Sequence, residues 1–241
     1  MSPLRPRPRA ARLLLAVFAV LAAVHLTALL LRAAGPGHGP ADLVVHLTKP
    51  ALMPVLAGYA LSRGGPPLLA AALVCGCAGD TLLQAGGDTL FLLGMGAFAA
   101  GHLCYLALSA RHGTALRRSR TGAAAAVYLV AWAATVTLLW PGLPAAMRVP
   151  VAGYSLLLTA MAFGALRAGP LAAAGGLLFL LSDTLIATGI ADWPQLPEPQ
   201  FWVMLSYAAA QFALAGGVLR AAAAGPAPPP YDTAPACREA V

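Results

Sequence analysis

Residues 67–110 read PLLAAALVCGCAGDTLLQAGGDTLFLLGMGAFAAGHLCYLALSA, and the architecture of the chain follows from them. Two apolar runs, 67–85 and 89–110, are separated by Gly86, Gly87 and Asp88. A helix rises about 1.5 Å per residue and a bilayer's hydrocarbon core is about 30 Å thick. Each run is therefore long enough to cross a membrane once. Asp80 is the only charged residue inside either run, so it stands where a charge is costly.

Outward from this pair the same pattern repeats. Apolar runs bounded by Gly, Pro or charge fall at 13–32, 43–62, 67–85, 89–110, 122–140, 148–166, 170–190 and 200–220. Across all 241 residues, 60% are hydrophobic and 10% charged, and the mean hydropathy is +0.78. A soluble domain carries about 25% charged residues, and 8 acids with 15 bases cannot cover a globule of this length. The expected fold is all-α: a polytopic membrane protein of eight transmembrane helices. Its organisation is a basic segment over 1–12, the membrane domain over 13–220 and a Pro-rich, disordered tail over 221–241. The run starting at Leu13 exceeds the about 7–15 residues of a signal-peptide core, so it reads as an uncleaved first helix.

The net charge of +7 raises the question of nucleic acid. The arginines form no basic stripe with interleaved aromatics, and no nucleic-acid partner is expected. They obey membrane topology instead. If the N-terminus is cytoplasmic, Arg5, Arg7, Arg9, Arg12, Arg63, Arg111, Arg117, Arg118, Arg120, Arg167, Arg220 and Arg238 share one side. Only Arg32 and Arg148 fall on the other, with Asp42, Asp88, Asp192 and Glu198. This bias predicts that both termini are cytoplasmic. Trp140, Trp193 and Trp202 fall near predicted boundaries, where an aromatic belt belongs.

An internal echo accompanies the eight runs. Gly79-Asp80-Thr81-Leu82-Leu83 returns as Ser182-Asp183-Thr184-Leu185-Ile186, 103 residues later (183 − 80). That offset carries runs one to four roughly onto runs five to eight, which is the pattern of a parallel 4+4 repeat.

Three ionisable residues stand out inside the runs: Lys49, Asp80 and Asp183. Each costs on the order of 2.5–3.5 kcal/mol on insertion scales, so each calls for a partner, water or a function. Counted from the outer ends of their runs, the three fall at similar depth and are expected to share one cavity. Fully ionised, the cluster carries one net negative charge, and one added proton neutralises it. Two carboxyls in different protonation states make an acid/base pair. The plainer alternative is that these groups only tie three helices together. Pro50 and Pro54 follow Lys49 and free helix carbonyls, which suits a wet cavity.

Other polar residues come in pairs on single helix faces: His102 with Tyr105, and Tyr207 with Gln211. Helix–helix hydrogen bonding is the first reading of each pair. With Tyr154, which lies near the depth of Lys49, they are also the candidate substrate-binding residues. Gly94, Gly96 and Gly101 are expected to admit close helix contact, while His25 and His46 read as outer-half or interfacial residues. Cys75, Cys77, Cys104 and Cys237 give no disulfide framework. Cys75-Gly-Cys77 has no second Cys/His pair beside it, and His46 and His102 differ in predicted depth, so no metal site is expected. No G-x-S-x-G, P-loop or H-E-x-x-H motif occurs.

The order and spacing of several of these residues resemble the YhhN family of integral membrane proteins, the lysoplasmalogenases. Lys49-Pro50, Gly79-Asp80 and the run Phe91, Gly94, Phe98, His102 and Tyr105 carry the likeness. Gly176, Phe179, Ser182 and Asp183, then Tyr207 and Gln211, continue it, so that it covers nearly all the chain between the two tails. The resemblance implies hydrolysis of the vinyl-ether bond of lysoplasmalogens to a fatty aldehyde and a glycerophospho-ethanolamine or -choline. Membrane lipid would be the chain's environment and a lysophospholipid its partner. Such a reaction needs a proton donor, an anion beside the developing cation and a positioned water. Asp80, Asp183 and Lys49 can meet those needs without cofactor or metal. A transporter or permease with a charged intramembrane site is the competing reading, because charges, prolines and repeats occur in both classes. A cell membrane is the expected location, with a bacterial inner membrane suggested by the Ala-, Arg-, Gly- and Pro-rich composition.

Overall fold

The structure, a computed structural model, describes residues 7–34, 39–115 and 118–225. Arg5, Arg117, Cys237 and residues 226–241 of the expected tail lie outside the described residues. Eight α-helices account for nearly all of what is described: α1 (Pro8–Ala34), α2 (Pro40–Ser62), α3 (Pro67–Ala85), α4 (Asp88–His112), α5 (Arg118–Leu139), α6 (Ala145–Ala165), α7 (Pro170–Ile190) and α8 (Pro199–Ala224). No strand occurs among the described residues, and all eight helices are long and apolar enough to cross a bilayer.

Proline starts five of the helices, at positions 8, 40, 67, 170 and 199. Its fixed φ suits the first helical turn, where its missing N–H goes unused. Between α3 and α4 the chain turns on Gly86 and Gly87, at φ of 80° and 85°, a region that side chains other than glycine's rarely occupy. Helices α1 and α8 overrun the expected boundaries, α1 starting at Pro8 and α8 ending at Ala224. The expected ends are those of apolar stretches closed by Gly, Pro or charge. Helical backbone does not stop there, because Arg9, Arg12 and Arg220 are exposed on the helix surface and the helix continues through them.

Successive helices pack as neighbours with one exception: α4 lies against α6, and α5 sits outside the bundle on α6. Helix α8 is the most buried span and touches α1, α2, α3, α4 and α7, whereas α5 is the least buried. Apolar side chains gather in two clusters. The larger runs through all the helices except α5, and the smaller joins Met95, Leu139, Leu143, Met147, Val151 and Ala191 near the ends of α4 to α7.

Glycines set how closely the helices approach. A Cβ on Gly176 would come within 2.8 Å of the Ala162 Cα, and one on Gly79 within 2.6 Å of the Phe98 ring. Of the three expected contact glycines in α4, a Cβ on Gly94 would meet Leu83 and one on Gly101 would lie 3.2 Å from the Ala72 carbonyl oxygen, but one on Gly96 would face open space. Gly176→Leu is therefore expected to destabilise the bundle by about 1–3 kcal/mol, the range for overpacking. Gly96→Ala is expected to be neutral or slightly stabilising. Thermal unfolding of the purified protein in detergent checks both.

Proline inside α2 has a visible consequence. Pro54 lacks the N–H that would bond the Pro50 carbonyl, and the Cys77 thiol donates to that oxygen at 3.2 Å. Nor is His25 an interfacial residue. It is fully buried between α1 and α2, where its Nδ1 lies 2.8 Å from the Thr48 hydroxyl. Trp140, Trp193 and Trp202 are all partly exposed at the ends or connections of α5, α7 and α8, and the Arg148 guanidinium lies 5.8 Å from the Trp140 ring centroid.

Candidate active site

A cavity of about 220 Å³ opens where the two apolar clusters meet, and every helix but α1 contributes to its lining. Lys49 from α2, Asp80 from α3 and Asp183 from α7 all face it. Residues separated by more than a hundred positions thus share one small space, as their depths within the runs predicted. Phe98 and Met95 of α4, and Leu158 of α6, form part of its apolar wall.

The two carboxyls are held differently. Asp80 is almost wholly buried, at 3% exposure. Its Oδ1 lies 4.0 Å from Lys49 Nζ, and its Oδ2 accepts the Tyr207 O–H at 2.8 Å. Asp80 thus has both a cation and a phenol donor on one carboxyl. Asp183 is less buried. Its Oδ2 accepts the Tyr154 O–H at 2.5 Å, and among the described residues it has no salt bridge.

Behind each tyrosine lies a buried nitrogen. His102 Nε2 is 3.1 Å from the Tyr154 oxygen. On the other side Gln211 Nε2 donates to the Tyr207 oxygen at 3.4 Å, and Gln211 Oε1 accepts the Tyr105 O–H at 2.7 Å. Phe98, Phe179 and Tyr207 pack edge to face between the two networks, with ring centroids 5.5–6.3 Å apart. Gly76 leaves room for this, since a Cβ there would come within 3.0 Å of the Tyr207 oxygen.

Of the five candidate substrate-binding residues, Tyr154 and Tyr207 line the cavity. His102, Tyr105 and Gln211 do not; each is 1–2% exposed and stands behind the wall. Sequence reasoning missed the contribution of α5 and part of α6. Tyr128, Trp132 and Thr135 line the cavity from α5, and Ser155 and Thr159 from α6. Trp132 Nε1–H donates to the Ser155 hydroxyl at 3.1 Å. One signal was present: Trp132 is the only tryptophan set in the middle of a run rather than near its boundary.

These features define a multi-pass helical membrane protein with two carboxyls and an amine around one intramembrane cavity. Comparison with known proteins makes the assignment narrower. The YhhN family model matches residues 44–218, and the chain belongs to that family. It is 35% identical over 159 residues to the lysoplasmalogenase TMEM86B of Homo sapiens, covering 66% of each chain. Similarity to the Sus scrofa lysoplasmalogenase TMEM86B is 36% identity over 143 residues, 59% of each chain. To the Mycobacterium tuberculosis lysoplasmalogenase it is 35% over 158 residues, 62% of this chain and 59% of the relative. The matches thus span just under two thirds of the length of these curated relatives. No solved structure matches the chain.

Proposed function

We propose that the protein is a lysoplasmalogenase, hydrolysing the vinyl-ether bond of lysoplasmalogens by acid/base catalysis between Asp183 and Asp80. The observation that carries this reading is the convergence of the two carboxyls and Lys49 on one apolar-walled cavity. The names of the relatives agree with it.

The difference between the carboxyls divides their work. Lys49 keeps Asp80 as the carboxylate, and Asp183, which has a tyrosine donor but no cation, carries the proton. Asp183 gives that proton to the vinyl carbon remote from the ether oxygen. The π electrons form the new C–H bond, and an oxocarbenium ion results beside the Asp80 carboxylate. Water adds to the cationic carbon and Asp80 takes its proton, giving a hemiacetal. As the hemiacetal C–O bond breaks, Asp80 returns its proton to the leaving oxygen and Asp183 takes the hydroxyl proton. Fatty aldehyde and glycerophospho-alcohol are released, and both aspartates are back in their starting forms. Each proton transfer contributes about 10²–10⁴-fold in rate.

The apolar lining receives the start of the alkenyl chain. At about 220 Å³ the cavity is smaller than the about 300–1,000 Å³ common for drug-sized ligands. Only the vinyl ether and a few neighbouring carbons fit inside, and the rest of the chain lies in lipid. The head group points to the outer interface, the termini face the cytoplasm and the host bilayer is a bacterial inner membrane. The two Asp-Thr segments derive from a parallel repeat. In both, the threonine hydroxyl donates to the carbonyl four residues back, Thr81 to Cys77 at 2.8 Å and Thr184 to Leu180 at 2.7 Å.

Purified protein in detergent is expected to release aldehyde from lysoplasmalogen, with one deuterium at the aldehyde's second carbon when the reaction runs in D₂O. A transporter releases none without a sealed vesicle. Aldehyde without that deuterium would exclude carbon protonation, and no aldehyde at all would end the hydrolase reading.

A further inference from the structure

We propose that His102 is a positioning residue that acts on Asp183 through Tyr154 and fixes which carboxyl oxygen of Asp183 delivers the proton. This rests on the role of Asp183 as the acid. His102 itself is 1% exposed and does not line the cavity, so no substrate touches it.

With the phenol hydrogen on Asp183 Oδ2, valence fixes the remaining hydrogen-bond direction. Tyr154 has one phenolic hydrogen, and it goes to Asp183 Oδ2. Toward His102 the phenol oxygen is then only an acceptor, so the 3.1 Å contact requires a hydrogen on His102 Nε2. The ring cannot easily turn away from this bond. It packs edge to face on Phe179, with centroids 4.8 Å apart, and tilts against Tyr154 at 5.5 Å. Helices α4, α6 and α7 are thereby joined in one directed chain, imidazole to phenol to carboxyl.

Two consequences reach the reacting atoms. With Oδ2 committed as the acceptor of the Tyr154 hydrogen, Oδ1 is left to hold the acid proton. Second, an N–H donated into the phenol oxygen polarises the phenol and makes its own hydrogen a stronger donor. Once Asp183 has given up its proton, that bond becomes charge-assisted, so the chain favours the product of the first step over its reactant. Asp80 has a parallel arrangement, with Gln211 behind Tyr207. A buried nitrogen behind each tyrosine is thus a repeated device rather than a single packing accident.

The test is a double-mutant cycle on the full chain in detergent, with lysoplasmalogen as substrate and aldehyde as readout. His102→Leu is expected to lower kcat by about 10–100-fold with KM unchanged within twofold, the pattern of an interaction lost from the transition state alone. His102→Gln, whose amide can still donate, recovers at least a third of the wild-type kcat. Tyr154→Phe with His102→Leu is no slower than Tyr154→Phe alone, because the histidine has nothing left to act through. Losses that multiply, a rise in KM alone, or wild-type turnover in His102→Leu would overturn the proposal. If His102→Leu does not fold, His102→Asn, too short to reach the phenol, takes its place in the cycle under the same criteria. Wild-type protein that releases no aldehyde defeats the hydrolase reading and this proposal with it. Active wild type, inactive Asp183→Asn and a multiplicative cycle defeat this proposal alone.

Discussion

Asp183→Asn is expected to lower aldehyde release by about 10²–10⁴-fold, the contribution of a positioned general acid. The amide has no proton it can give to carbon, yet its oxygen can still accept the Tyr154 hydrogen that Asp183 Oδ2 accepts now. The protein should therefore fold, and its thermal unfolding midpoint should stay within a few degrees of wild type. Asp80→Asn should also be inactive, for a different reason: the cation loses the Asp80 carboxylate and the attacking water loses the base that takes its proton. Aldehyde release within tenfold of wild type in either variant would refute the assignment. A continuous assay coupling the aldehyde to a nicotinamide-dependent dehydrogenase measures both.

Lys49→Met separates stability from catalysis. Its ammonium stands 4.0 Å from Asp80 Oδ1, on a side chain only 16% exposed. Removing one member of a buried pair leaves a lone charge, at a cost of about 3–5 kcal/mol. Loss of one preorganised electrostatic partner also lowers turnover by about 10²–10³-fold. The single variant should unfold at a lower temperature than wild type. Adding Asp80→Asn removes the stranded carboxylate, so the double variant should regain thermal stability while staying inactive. Wild-type turnover in Lys49→Met would show that the amine is only a packing partner. A double variant no more stable than the single would show that Asp80 does not need it.

The sequence made the three charged residues of the cavity legible for a simple physical reason. A lysine or aspartate inside an apolar run is too costly to be incidental, and its distance from the end of the run gives its depth. Two tyrosines of the lining were also within reach, one by depth and one by its pairing with Gln211. What spacing does not reveal is which way a face points. His102 and Tyr105 share a face at i, i+3, but nothing in α4 marks that face as turned behind the cavity wall rather than into it. In a soluble helix the polar side would answer the question. A membrane helix is apolar all round, so its rotation is set by packing, through contacts such as Gly79 on Phe98. Helix α5 was opaque for the same reason, its Ala and Val residues offering no distinct side. The Cys77 thiol is a further case: its purpose depends on Pro54, on another helix, having left the Pro50 carbonyl unbonded.

Helix α5 walls the cavity and packs mainly on α6, with Trp132 bonded to Ser155 and Tyr128 against Phe163, while Leu139 at its end joins the smaller apolar cluster. It is the least buried of the eight spans, so swinging it aside uncovers less packed surface than moving any other helix would. On the lysoplasmalogenase reading proposed above, that wall is the side by which a single-tailed amphiphile would enter tail first from the surrounding lipid.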